Sequence, residues 1–134
     1  MGYTHYWKHD EVIKADWRKA IEEVDKVLRR HHGVLQFEYD NDAKPEANDS
    51  SIRFNGIDED GHETFWVSPE ATGFSFCKTA RKPYDLAVCE VLIILSCLCG
   101  FDVSSDGDFD DEWAEATKNV KEHHGFEFTS ENLR

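Results

Sequence analysis

The chain has 134 residues, 40% hydrophobic and 13% aromatic, enough to bury the core of one domain spanning 1–134 without disulfides or metals. Acidic residues outnumber basic ones 28 to 15, for a formal net charge of −13. That balance points away from duplex DNA and anionic membranes, which are bound largely through cations. It leaves plain solubility, docking to a basic protein, or mimicry of nucleic acid.

The opening "MGYTHYWKHD" lacks the apolar stretch of a secretory leader, so a cytoplasmic location is expected. "GYTHYWK" alternates and is aromatic, which predicts a strand over Gly2–Lys8. In "ADWRKAIEEVDKVLRRHHG", Trp17, Ile21, Val24 and Leu28 recur at helical spacing. Arg29 and Arg30 fall in the last turn, and Gly33 supplies a stop. "VLQFEYD" alternates as a half-buried strand, and "NDAKPEANDSS" has the composition of a mobile loop. "SIRFNGID" and "ETFWVSP" predict a β-hairpin, and "GFSFCK" a further strand.

A helix is expected over about Tyr84–Cys99, and Leu86–Phe101 is the most apolar stretch in the chain. It is too short to span a bilayer comfortably and carries Glu90, so it predicts a buried helix. A last helix is expected over Phe109–His124, ending at Gly125, with a strand-like "FEF" after it. The predicted class is α+β: an antiparallel sheet of four to five strands packed with three helices, one central and strongly apolar. The four cysteines, Cys77, Cys89, Cys97 and Cys99, show no CxxC spacing and predict buried, reduced thiols.

"DVSSDGDFDDEW" partly matches a calcium-binding loop, with Asp102, Ser104 and Asp106 at positions one, three and five. Position twelve is Trp113 rather than a carboxylate, and Glu112 falls one residue early, about 100° away on a helix. Asp residues capping the last helix are the simpler reading. His5 and His9 could share a strand face, but no Cys-His spacing fits zinc, and neither a metal nor another cofactor is expected. Cys77 beside Lys78 and Glu90 in its apolar helix are the available reactive groups for a small hydrolase or transferase. The commoner role for such a Glu is to occupy the narrow polar side of its helix or to pair with a cation of the basic stretch.

The basic stretch is "FCKTARKPYD", where Lys78, Arg81 and Lys82 lie just before the apolar helix. Pro83 would begin that helix, whose free amides and positive dipole end, together with three cations, suit an anion. Asp85 in the first turn competes for the same donors. Tyr3, Tyr6, Trp7 and Tyr84 could supply stacking surface, so a small anionic, nucleotide-like ligand is the expected one, held by a non-enzymatic binding protein. The alternative is an acidic protein–protein module, mimicking nucleic acid or inhibiting a host protein, in which Asp106, Asp108 and Asp110 make the contact. A homo-oligomer is compatible with either.

The motifs "MGYTHYW", "FCKTARKPYD" and "VSSDGDFDDEW" resemble those of a group of uncharacterised small proteins of bacteriophage and bacterial genomes. The resemblance implies a phage accessory or counter-defence protein in the host cytoplasm. Such a protein would act by binding, sequestering a host nucleotide signal or blocking a host protein.

Overall fold

The fold is seen in a computed structural model, which describes residues 2–133. It is α+β, with three helices and two antiparallel sheets in place of the single sheet expected. Strands β1 (Thr4–His9), β6 (Gly73–Lys78) and β7 (Asp102–Ser105) form one sheet in the order β6-β1-β7. In the other, β4 (Ile52–Gly56) is the hub, pairing with β2 (Leu35–Gln36), β3 (Glu46–Ala47) and β5 (Phe65–Val67). Ile52 is opposite both Ala47 and Val67, so β3 and β5 lie on opposite edges of β4.

The β4–β5 hairpin is present, although its connection is long and includes a turn of 3-10 helix at Asp58–Asp60. "VLQFEYD" contributes only Leu35 and Gln36 to a strand. The chain then turns back on itself at Asp40, whose φ is 61°. Part of the expected loop "NDAKPEANDSS" is recruited as β3, since the edge of β4 offers its backbone groups a partner.

Helix α1 (Lys14–Arg30) buries Trp17, Ala20, Val24, Val27 and Leu28 on one stripe. Helix α2 (Asp85–Cys99) buries nine successive residues, Ala87 to Leu95, each large aliphatic side chain contributing about 1.5–3 kcal/mol of transfer free energy. Both α1 and α3 (Ala114–His124) pack on α2, which also meets β7. Helix α2 begins at Asp85, two residues later than a start at Pro83. It stops where Gly100 adopts the left-handed conformation at φ 71°. Gly125 ends α3 in the same way, whereas α1 runs on into a 3-10 turn through Gly33, and the "FEF" tail forms no strand.

The calcium-loop match is overturned by β7. Asp102 and Ser104 belong to an extended strand rather than to a loop between two helices, and the last helix starts at Ala114, five residues after Phe109. Cys77 and Cys89 are buried and free as expected, but Cys97 is exposed at the end of α2.

Candidate functional site

The basic stretch folds as a tight turn. Lys82 N–H donates to the Thr79 carbonyl at 3.0 Å, with Ala80 at φ 53° and Arg81 at φ 59°. Two successive left-handed residues normally call for Asn-Gly, and each non-glycine residue held there costs about 1–3 kcal/mol. The turn sends the three cations apart. Lys78 is the last residue of β6, and its backbone is tied to Glu63. Arg81 lies 4.1 Å over the Tyr3 ring and 3.2 Å from the Glu112 carboxylate. Lys82 shares a shallow depression with Tyr39, Glu59, His62 and Glu63.

Arg81 is therefore paired with a carboxylate of its own chain. Glu112 also accepts the Asp108 backbone N–H at 2.8 Å. That bond, with the Arg81 contact behind it, holds its carboxyl below the usual range.

Of the aromatic residues expected near a ligand, Tyr3, Trp7 and Tyr84 face the core. Trp7 packs on Phe65, with ring centroids 5.1 Å apart. The Tyr84 hydroxyl donates to the Glu63 carbonyl at 2.5 Å, and burial raises its pKa. The Tyr3 hydroxyl is buried without a hydrogen-bond partner against Gly107, where a Cβ would come within 2.2 Å of it. Tyr6 is half-exposed and donates to Asp106, which also accepts the Thr4 backbone N–H.

Beneath the turn lies a buried polar chain. The Ser105 hydroxyl accepts from Trp113 Nε1 at 3.0 Å and from the Gly107 N–H at 2.9 Å, so its own hydrogen goes to His5 Nδ1 at 2.8 Å. His5 then carries its proton on Nε2 and donates to Asp85 at 2.6 Å. The Thr79 hydroxyl donates to the same Asp85 oxygen at 2.5 Å. The order Ser–His–Asp suggests a nucleophile, but both lone pairs of Ser105 are already engaged. Cys89 lies 3.5 Å from His5 Nε2 and 3.8 Å from Asp85, and these three residues could surround a metal ion. Without a metal, Nε2 is protonated towards Asp85 and burial holds the Cys89 thiol well above its ordinary pKa, so a bound ion would have to displace both protons. The cluster ties β1, β7 and α2 together. It also places Asp85 at the dipole end of α2 where an anion was expected.

Cys77 is buried, and desolvation pushes its pKa up to about 12 despite Lys78 next door, which disfavours the thiolate. Glu90 pairs with α1 rather than with the basic stretch. Its oxygens accept from Arg30 at 2.7 Å, His31 at 3.1 Å and Asn119 at 3.0 Å. Burial alone would raise the Glu90 carboxyl, but these hydrogen bonds outweigh it and hold the pKa below the ordinary value. Arg30 also donates to His124 Nε2, and His124 Nδ1 in turn reaches Glu23 at 2.8 Å, which joins α1, α2 and α3. Both oxygens of Glu90 are thus engaged inside the fold.

The outer face of the three-stranded sheet carries large aromatic side chains exposed to solvent. The registers set Phe74, Lys8 and Asp102 in one cross-strand row, Phe76, Tyr6 and Ser104 in the next, and Lys78 and Thr4 beyond. Phe74 is 67% exposed and Phe76 54%, and Tyr6 stacks on Phe74 with centroids 6.0 Å apart. Sequence alternation identified β6 as a strand but could not say which side faces inward. The aromatic side would be assigned to the core, yet Cys77 and Ser75 point there instead, because Cys77 is opposite His5 and Ser75 opposite Trp7.

Searches against protein-family models, curated proteins and solved structures find no match to the chain. Among the described residues, no helix is long and apolar enough to cross a membrane.

Proposed function

We propose that this protein is a non-enzymatic interaction module that binds another protein through β6 and the outer face of its sheet. The observation that carries the reading is the exposure of Phe74 and Phe76, side by side on an edge strand with Tyr6 beside them. Contiguous exposed aromatic side chains on a folded domain are characteristic of contact surfaces. The groups able to do chemistry, Ser105, Cys77, Cys89 and Glu90, are spent inside the fold. A phage accessory protein that blocks a host protein fits this reading. The test is to purify a protein captured by the wild-type chain and titrate it against Phe74→Ser/Phe76→Ser. A drop in affinity of at least tenfold is expected, and unchanged affinity removes the reading.

A small anionic, nucleotide-like ligand is a second reading, favoured by the strained turn. Ala80 and Arg81 are both held at positive φ, and strain of this kind gathers at ligand clamps. An anion there would take Arg81 from Glu112. Thermal-shift titration with nucleotides and cyclic nucleotides, repeated on Arg81→Ala, tests it. No stabilisation of the wild type, or equal stabilisation of the variant, ends it.

A further inference from the structure

The backbone of β6 is as open as its side chains. Thr79 N–H donates to the Tyr3 carbonyl at 3.1 Å, which makes Tyr3 and Thr79 a hydrogen-bonded pair of the β1–β6 ladder. Hydrogen-bonded pairs recur every second residue, so Cys77, Ser75 and Gly73 bond β1, while Lys78, Phe76 and Phe74 turn their N–H and C=O outward. Lys78 confirms this phase: its N–H donates to the Glu63 carboxylate at 2.7 Å, and its carbonyl accepts the Glu63 N–H at 3.2 Å. Beyond that point the neighbouring chain departs into β5. Among the described residues nothing takes the outward N–H and C=O of Phe74 and Phe76. An edge that combines free ladder groups with exposed aromatic side chains is a template for another strand.

Charge decides which strand. Lys8 and Lys78 lie on the same face as Phe74 and Phe76, but exposed Glu63 stands at one end of the open edge and exposed Glu70 three residues before the other, on a chain whose net charge is −13. A second copy brings another −13, so its long-range field opposes approach, whereas a cationic segment is drawn in. We infer that the binding element of the partner is an extended segment alternating apolar and Lys or Arg residues, which adds to β6 as a fourth strand of the sheet. Its ladder would use the backbone of Phe74 and Phe76, and its apolar side chains would cover their rings. This inference rests on the interaction reading above and narrows its partner.

The test uses the full chain and three labelled seven-residue peptides followed by fluorescence anisotropy. One alternates Lys and Val, one alternates Glu and Val, and one is the Lys-Val peptide with alternate backbone nitrogens methylated. Saturable binding is expected for the unmodified Lys-Val peptide alone. It should weaken at least tenfold between 50 and 300 mM NaCl, and at least tenfold in Phe76→Pro. That substitution removes the outward N–H and the ring but no bond to β1. The methylated peptide keeps the test independent of whether that variant folds. Equal binding of the methylated peptide overturns strand addition, and equal binding of the Glu-Val peptide overturns the charge choice.

Sedimentation of the free chain as a dimer that salt strengthens and Phe76→Lys dissociates assigns the edge to a second copy, which overturns the cationic strand. If no peptide binds while capture of a partner still needs Phe74 and Phe76, the strand inference falls and the interaction reading stands. If the Lys-Val peptide binds Phe74→Ser/Phe76→Ser as well as it binds the wild type, both fall.

Discussion

Glu90 and the edge of β6 are opposite solutions to the same accounting of polar groups. Glu90 is a fully buried carboxylate whose oxygens are met by Arg30, His31 and Asn119, so the charge is sealed in and helices α1, α2 and α3 are locked in register. Phe74 and Phe76 leave backbone donors and acceptors unpaired in solvent and set large rings beside them. A buried unmet group is costly and is therefore rare. An exposed unmet group costs little until a partner arrives, so that is where binding is sought.

Removing a partner from the closed node is expected to have the largest effect. Arg30→Ala leaves Glu90 buried without its cation and should cost about 3–5 kcal/mol in urea unfolding, while Arg30→Met/Glu90→Leu should recover most of it. If the single and double variants are equally unstable, packing rather than charge holds the helices.

Acid should open the same node. The Glu90 and Glu23 carboxyls are held below their ordinary value of 4.5 by the hydrogen bonds they accept. Their contribution is complete above that value and is lost as pH falls through the lower folded values. Urea midpoints measured from pH 7 to pH 3 should fall below about pH 4.5, and Glu90→Gln should flatten that part of the curve. An unchanged slope in the variant would assign the acid loss to other carboxylates.

The turn should respond more mildly. Ala80→Gly relieves a left-handed alanine and should raise stability by up to about 1 kcal/mol, set against the greater freedom of glycine in the unfolded chain. A destabilised variant would show that the turn is not strained at Ala80. The smallest effect belongs to the open edge. Phe74→Ser and Phe76→Ser should each shift stability by less than about 0.5 kcal/mol while weakening partner binding. A large loss of stability would mean that these rings support the fold.

Much of this architecture was legible from local patterns. The stripe of Trp17, Val24 and Leu28 marked α1, and the apolar run marked α2. The paired alternating segments marked β4 and β5. Of the short strands, β2 was legible only as part of a longer alternating stretch and β3 not at all, because two residues carry no periodicity and their extension is set by the β4 edge. The candidate site was less legible still. Lys78, Arg81 and Lys82 cluster in sequence, but strand alternation and the turn at Ala80 separate them in space. Nothing in the sequence marks Phe74 and Phe76 as surface residues, since an apolar residue in a strand is ordinarily a core residue.

The sequence alone determined the acidic balance, the α+β class and the bounds of the long helices to within a few residues, because these depend on composition and on side-chain period. Only the tertiary structure decided that His5 and Asp85 meet, that Arg30 rather than the basic stretch answers Glu90, and that the aromatic side of β6 faces out. Each of those outcomes depends on which strand or helix lies alongside, and the residue paired across a ladder or a helix contact is not encoded by the period of either element alone.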